Sequence, residues 1–195
     1  SITEHSFRSF DLYVDFTTFA PRIQQLFIDI KVNLIYHKNV KDVNFIMISN
    51  KKIVLTGADS GIGFEVLKLL AADKTNRILA VDINKNKMHT LSDNVIPFVC
   101  DVSSQENVDL IFEKAENELG KIDIFYANAG YPYYELMDYT DWDRTARIFE
   151  TNVYSPIYSY QKYVKHLNGR NGHYCITVSA IGKMAMPGFT TYSAS

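Results

Sequence analysis

From residue 51 onward, short apolar runs alternate with longer segments in which apolar residues return every third or fourth position. The runs over 53–56, 77–81, 95–100, 122–127 and 173–178 are bounded by polar residues or glycine. Their shortness and continuous apolar character predict strands covered on both faces. Between the first two, the spacing predicts a helix over 62–72 with Ile62, Val66, Leu69 and Leu70 on one face. A second helix is capped by Ser104, runs to Leu119 and stops at Gly120, with Val108, Ile111, Phe112 and Ala115 inward. A long helix starts at Thr140 or Asp141 and runs towards Leu167, interrupted or bent near Pro156. A further helix begins near Thr191 or Tyr192. Strands alternating with crossover helices predict an α/β fold, a doubly wound parallel sheet in three layers of the Rossmann type.

Met47 is the first methionine and opens a polar lead-in to the first strand. Residues 47–195 therefore read as one α/β domain and residues 1–46 as an appendage with no assigned role. That appendage has no glycine and one proline, Pro21. Alternation of Leu26, Ile28, Ile30, Val32 and Leu34 predicts a half-buried strand there, with a helix over 21–36 as the alternative.

Composition narrows the function classes. The chain has 195 residues, 47% hydrophobic and 22% charged, which suits a globular domain with a real core. A net charge of -2 offers nothing to nucleic acid or an anionic membrane. No apolar run approaches the roughly 18 residues of a membrane span, and no signal peptide is visible. Cys100 and Cys175 sit in strand-like runs and read as buried thiols, which suits a cytoplasmic protein. The five histidines have no metal-ligand spacing, so no metal is expected.

Five polar or glycine residues, Gly57, Asp82, Asp101, Asn128 and Ser179, fall just after predicted strands. Ligands of doubly wound sheets bind at those carboxyl ends. The first carries a glycine turn, Thr56-Gly57-Ala58-Asp59-Ser60-Gly61-Ile62-Gly63, between a strand and a helix. Gly57 allows the sharp turn, Gly61 a close approach of backbone to pyrophosphate, and Gly63 close helix packing. Ser60, Gly61 and Ile62 open the helix whose N–H groups face the phosphates. Asp82 follows Gly61 by 21 residues, where a carboxylate accepts from the adenosine ribose hydroxyls and repels a 2′-phosphate. Ser60 stands where a phosphate-binding Arg or Lys would be expected, and Ile83 follows Asp82. These residues favour NAD over NADP.

Together with the chain's last residues, these motifs resemble the short-chain dehydrogenase/reductase family, in its non-extended branch, over 51–195. Asn152 lies 24 residues after Asn128 and 27 before Ser179, and Tyr192 follows Ser179 by 13. The resemblance implies an Asn-Ser-Tyr-Lys tetrad: Tyr192 as proton donor or acceptor, Ser179 polarising the substrate oxygen, Asn152 anchoring a water relay. The lysine would come directly after Ser195. The resemblance further implies that the last strands of the sheet are missing, and that the 195-residue piece itself does not turn over. Asp101-Val102 is similar to the family's adenine contact, with helix capping as the alternative for Asp101. Asn128-Ala129-Gly130 is similar to the segment that steadies the sheet and lines the cofactor. The implied activity is hydride transfer between NAD(H) and a small carbonyl or secondary alcohol; the full-length protein would be a homodimer or homotetramer. Tyr131, Tyr133, Ile181, Met184, Met186, Pro187 and Phe189 would line the substrate side or merely pack the loop. A non-catalytic nucleotide-binding module is the alternative function.

Overall fold

The computed structural model describes residues 48–136, 141–184 and 186–195. The strand or helix expected within residues 1–46 lies outside them, as does Thr140. Five strands form: β1 (Lys52–Thr56), β2 (Arg77–Asp82), β3 (Val95–Val99), β4 (Ile124–Ala127) and β5 (His173–Ile176). The helices are α1 (Gly61–Ala72), α2 (Gln105–Leu119), α3 (Trp142–Phe149), α4 (Ser155–Leu167) and α5 (Thr190–Ala194). All strand pairs are parallel, in the order β3-β2-β1-β4-β5. The chain moves one way from β1 to β3 and then crosses back to β4, so the topology reverses between β1 and β4.

Strand alternation sorts the core into two layers. Ile53, Leu55, Ile78 and Ala80 pack with Leu67 and Ala71 of α1 and with Met88. Val54, Leu79, Val81 and Phe125 pack on the other face with Ile111, Phe112 and Ala115 of α2 and Tyr163 of α4. Each fully buried Leu, Ile or Phe stabilises by about 1.5–3 kcal/mol relative to exposure. Ser104 caps α2 as expected, its hydroxyl accepting the Asn107 N–H at 3.2 Å. Gly120 ends that helix at φ +75.

Several expectations are corrected. Val66 and Leu70 of α1 pack on the core as expected, but its fully buried positions are Gly63, Leu67 and Ala71, and Leu69 is 54% exposed. At Gly63 the close approach to the glycine turn leaves no room for a side chain. The strands expected over 95–100, 122–127 and 173–178 are shorter than the apolar runs that signalled them. Cys175 is only partly buried, because β5 ends the sheet and its first and last residues are exposed. The bend near Pro156 is real and takes the form of a π-helical turn over Glu150–Tyr154. Pro156 sits in the first turn of α4 and cannot donate to the carbonyl four residues back, that of Asn152. The helix widens where that bond is lost.

Candidate functional site

At the reversal between β1 and β4, the carboxyl ends of the strands enclose a cavity of about 710 Å³, within the usual size of ligand sites. Its wall contains Gly57, Ser60, Gly61, Ile62, Asp82, Asp101, Val102, Asn128, Ala129, Gly130, Asn152, Ser179 and Tyr192. The structure thus brings together every expected cofactor-side and tetrad residue of the chain except Gly63, which packs behind the wall.

Gly63 explains the shape of the turn. A Cβ there would overlap the Gly57 carbonyl oxygen and stand 2.5 Å from Asn128 Nδ2. That nitrogen donates to the carbonyls of Thr56 (3.1 Å) and Gly57 (3.2 Å). In return, Thr56 Oγ1 accepts the N–H groups of Asn128 and Ala129, each at 3.1 Å. The end of β4 and the glycine turn are therefore one hydrogen-bonded unit. Gly57 and Gly61 have φ of +65 and +51, a region that costs other residues about 1–2 kcal/mol. Ser60 holds the N-cap position of α1 in extended backbone, gives the helix no side-chain bond, and no acidic residue follows in the first turn. The amides of 61–63 are the unpaired first donors of the helix, at its positive end.

On one side of the turn, Asp82 is set by two main-chain donors. Its oxygens accept from the N–H groups of Asp59 and Asn84, both at 3.0 Å. Asp101 is not the cap of α2. Its carboxylate accepts the Ser103 N–H at 3.0 Å and pairs with the Arg147 guanidinium at 2.7 Å. Partial burial opposes the Asp101 charge, but Ser103 and Arg147 outweigh it and hold the carboxyl below its ordinary value. Val102 is buried beside it.

On the other side, Ser179 and Tyr192 face the same cavity. Ser179 Oγ accepts the Ile181 N–H at 3.3 Å, which leaves its O–H able to donate. Asn152 lies in the π-helical turn. Its Oδ1 accepts the Tyr131 N–H, and its Nδ2 donates to the Tyr131 carbonyl and to Ser195 Oγ, all at 3.1 Å. Gly130 permits this approach: a Cβ there would lie 3.1 Å from Asn152 Oδ1.

The expected substrate-side residues mostly do not line the cavity. Tyr131 does, together with Gly182. Tyr133 instead donates to Glu135 Oε2 at 2.7 Å, Met184 is 62% exposed, and Phe189 packs edge-on against Tyr134 and Tyr192. Ile181, Met186 and Pro187 are also absent from its wall. Three polar residues went unanticipated. Arg147 lines the wall, buried Glu135 accepts from the N–H and hydroxyl of Thr191, and buried Asp59 anchors the loop after β2. Each pairs with residues far along the chain, which no local spacing reveals.

This geometry agrees with comparison to known proteins. Residues 51–195 match the family model described as short chain dehydrogenase. The chain belongs to the short-chain dehydrogenase family. It is 32% identical over 155 residues to the glycine betaine reductase ATRR of Emericella nidulans, covering 76% of this chain and 12% of that one. It is 29% identical over 158 residues to the 3-oxoacyl-[acyl-carrier-protein] reductase FabG of Thermotoga maritima, covering 76% and 63%. The chain thus spans less than two thirds of the length of either relative. A 3-ketoacyl-(acyl-carrier-protein) reductase from Brucella melitensis, solved in complex with NADH, superposes with a TM-score of 0.68 at 22% identity, covering 75% of this chain and 64% of that one. Among the described residues, no helix is long and apolar enough to cross a membrane.

Proposed function

We propose that the whole protein is an NAD(H)-dependent oxidoreductase acting on a small carbonyl or secondary alcohol. The observation that carries this reading is one cavity walled on one side by the glycine turn and Asp82, and on the other by Asn152, Ser179 and Tyr192. The unpaired amides of 61–63 suit the pyrophosphate of a dinucleotide. The Asp82 carboxylate suits unmodified ribose hydroxyls rather than a 2′-phosphate, which favours NAD over NADP. Arg147 steadies Asp101 beside the adenine end, with Val102 as its apolar floor. The NADH bound in the Brucella structure and the reductase names of the relatives support the same assignment.

When bound, the nicotinamide supplies or accepts the hydride. The chain's own residues do the rest. Ser179 O–H donates to the substrate oxygen and stabilises charge developing there. Tyr192 transfers the proton to or from that oxygen. A phenol needs a nearby cation to hold its anionic form at neutral pH, and the tetrad reading gives that role to a lysine. Asn152 holds the Tyr131 main chain and Ser195, fixing the cavity beside Tyr192 and offering an anchor for water. The reading extends to a cytoplasmic protein that self-associates: α4 exposes Ile157, Tyr160 and Val164, and α2 exposes Leu110, an apolar face that a second copy would cover. Light scattering of the whole protein tests that point, with a monomer contradicting it.

The activity is tested on the natural full-length protein by following NADH consumption over a panel of small ketones and aldehydes. Turnover is expected, and Tyr192→Phe is expected to lower it by about 10²–10⁴-fold with NADH affinity nearly unchanged. Tight NADH binding without turnover of any carbonyl would support the nucleotide-binding module instead.

A further inference from the structure

Neither phosphate binding nor proton transfer explains Asp59. The glycine turn needs only backbone at this position, yet the residue is a carboxylate only 4% exposed. That carboxylate accepts three consecutive main-chain N–H groups from the loop after β2: Asn86 at 2.9 Å, Lys87 at 2.6 Å and Met88 at 2.8 Å. Met88 is 1% exposed and packs into the α1 side of the core, so the anchor point is firm. Asp59 also donates its own N–H to Asp82, whose other oxygen accepts from Asn84. The segment 84–88 is therefore held at both ends by two carboxylates that are joined through the Asp59 main chain. Burial opposes the Asp59 charge, but the three N–H donors outweigh it and hold the carboxyl below its ordinary value. The anchored segment carries Asn84, on the cavity wall, and two exposed lysines, Lys85 and Lys87. The Lys87 ammonium sits over the Phe64 ring, 5.5 Å from its centroid.

We infer that Asp59 is a positioning residue for cofactor discrimination: by pinning segment 84–88 it orients Asp82 towards the adenosine ribose and keeps Lys85 and Lys87 away from the 2′-position. The inference rests on the proposal that this cavity binds NAD(H). With the latch closed, a 2′-phosphate meets a fixed carboxylate and no compensating cation. With the latch open, three main-chain donors lose their acceptor, the segment shifts, and the lysines gain reach to the phosphate.

The test titrates the chain separately with NADH and NADPH, read by nucleotide fluorescence. The wild type is expected to favour NADH. Asp59→Asn is expected to reduce the NADH-over-NADPH preference at least tenfold, chiefly through tighter NADPH binding. Adding Lys85→Ala and Lys87→Ala to that variant is expected to restore the preference. An equal loss of affinity for both nucleotides in Asp59→Asn would show a merely structural role and overturn the inference. A wild type that binds NADH but shows no preference also overturns it, while leaving the nucleotide site intact. A wild type that binds neither nucleotide overturns the site and the inference together. If Asp59→Asn does not fold, the lysine pair is replaced in the wild type. Unchanged affinities for both nucleotides are then expected, and a selective loss of NADPH affinity would show that the lysines already reach the phosphate.

Discussion

Replacing Gly63 by alanine is a sharp probe of how the glycine turn is built. The added Cβ would overlap the Gly57 carbonyl oxygen and stand 2.8 Å from its carbon and 2.5 Å from Asn128 Nδ2. Two of these atoms are backbone, and the third, Asn128 Nδ2, is tied down by two hydrogen bonds. Either α1 moves off the turn, or Asn128 gives up its two bonds to Thr56 and Gly57. Overpacking of this kind costs about 1–3 kcal/mol, and losing those bonds adds about 1 kcal/mol, so the sum is roughly 2–4 kcal/mol. At about 2–4 °C per kcal/mol for a domain of this size, the melting temperature should fall by roughly 4–16 °C. Gly61→Ala is the matched control. A Cβ there meets nothing within 4 Å, and only the φ of +51 opposes it, a cost of about 1–2 kcal/mol. Thermal unfolding followed by circular dichroism separates the two. Gly63→Ala melting within about 2 °C of the wild type, or above Gly61→Ala, would refute the packing argument.

Other consequences are testable in the same way. Tyr163, buried against the sheet from α4, has its phenol pushed up to about 12 by burial, while donating to the Asp123 carbonyl at 2.7 Å. The folded state keeps this proton after the unfolded chain has lost it, so the stabilisation is complete below pH 10.0 and is lost between that value and about 12. It amounts to roughly 2–3 kcal/mol, and denaturant titrations across that range should show a slope that flattens by about one proton in Tyr163→Phe; an unchanged slope would disprove the assignment. Glu135→Ala removes the acceptor for the Thr191 N–H and hydroxyl and for Tyr133. It should destabilise by about 1–3 kcal/mol, whereas a neutral result in chemical denaturation would show that the buried carboxylate is not holding α5. Arg147→Ala should cost at most about 1 kcal/mol, because its ion pair with Asp101 is partly exposed on both sides.

Much of this architecture is legible in the chain because its signals are short-range or evenly spaced. The glycine turn, the Ser104 cap and the strand runs are each read within a dozen residues. The spacings from Asn128 to Asn152, Ser179 and Tyr192 survive folding because the elements carrying them bring all four residues to one cavity. What failed depends on contacts across the fold. On α1, Val66 and Leu70 were legible, but Gly63 and Ala71 carry no strong apolar signal, so the fully buried line was not. Cys175 looked interior because β5 is locally apolar, but its exposure depends on what lies beside the sheet. The loop over 181–189 looked like a pocket wall, yet Phe189 turns towards Tyr134. Asp59, Glu135 and Arg147 find partners 29, 56 and 46 residues away, beyond any periodicity argument.

The most direct test of the central claim is a crystal structure of the full-length protein with NADH. The pyrophosphate is expected against the amides of 61–63, the adenosine ribose against Asp82, and the nicotinamide between Ser179 and Tyr192. A dinucleotide bound elsewhere, or bound with its nicotinamide remote from Tyr192, would contradict the account.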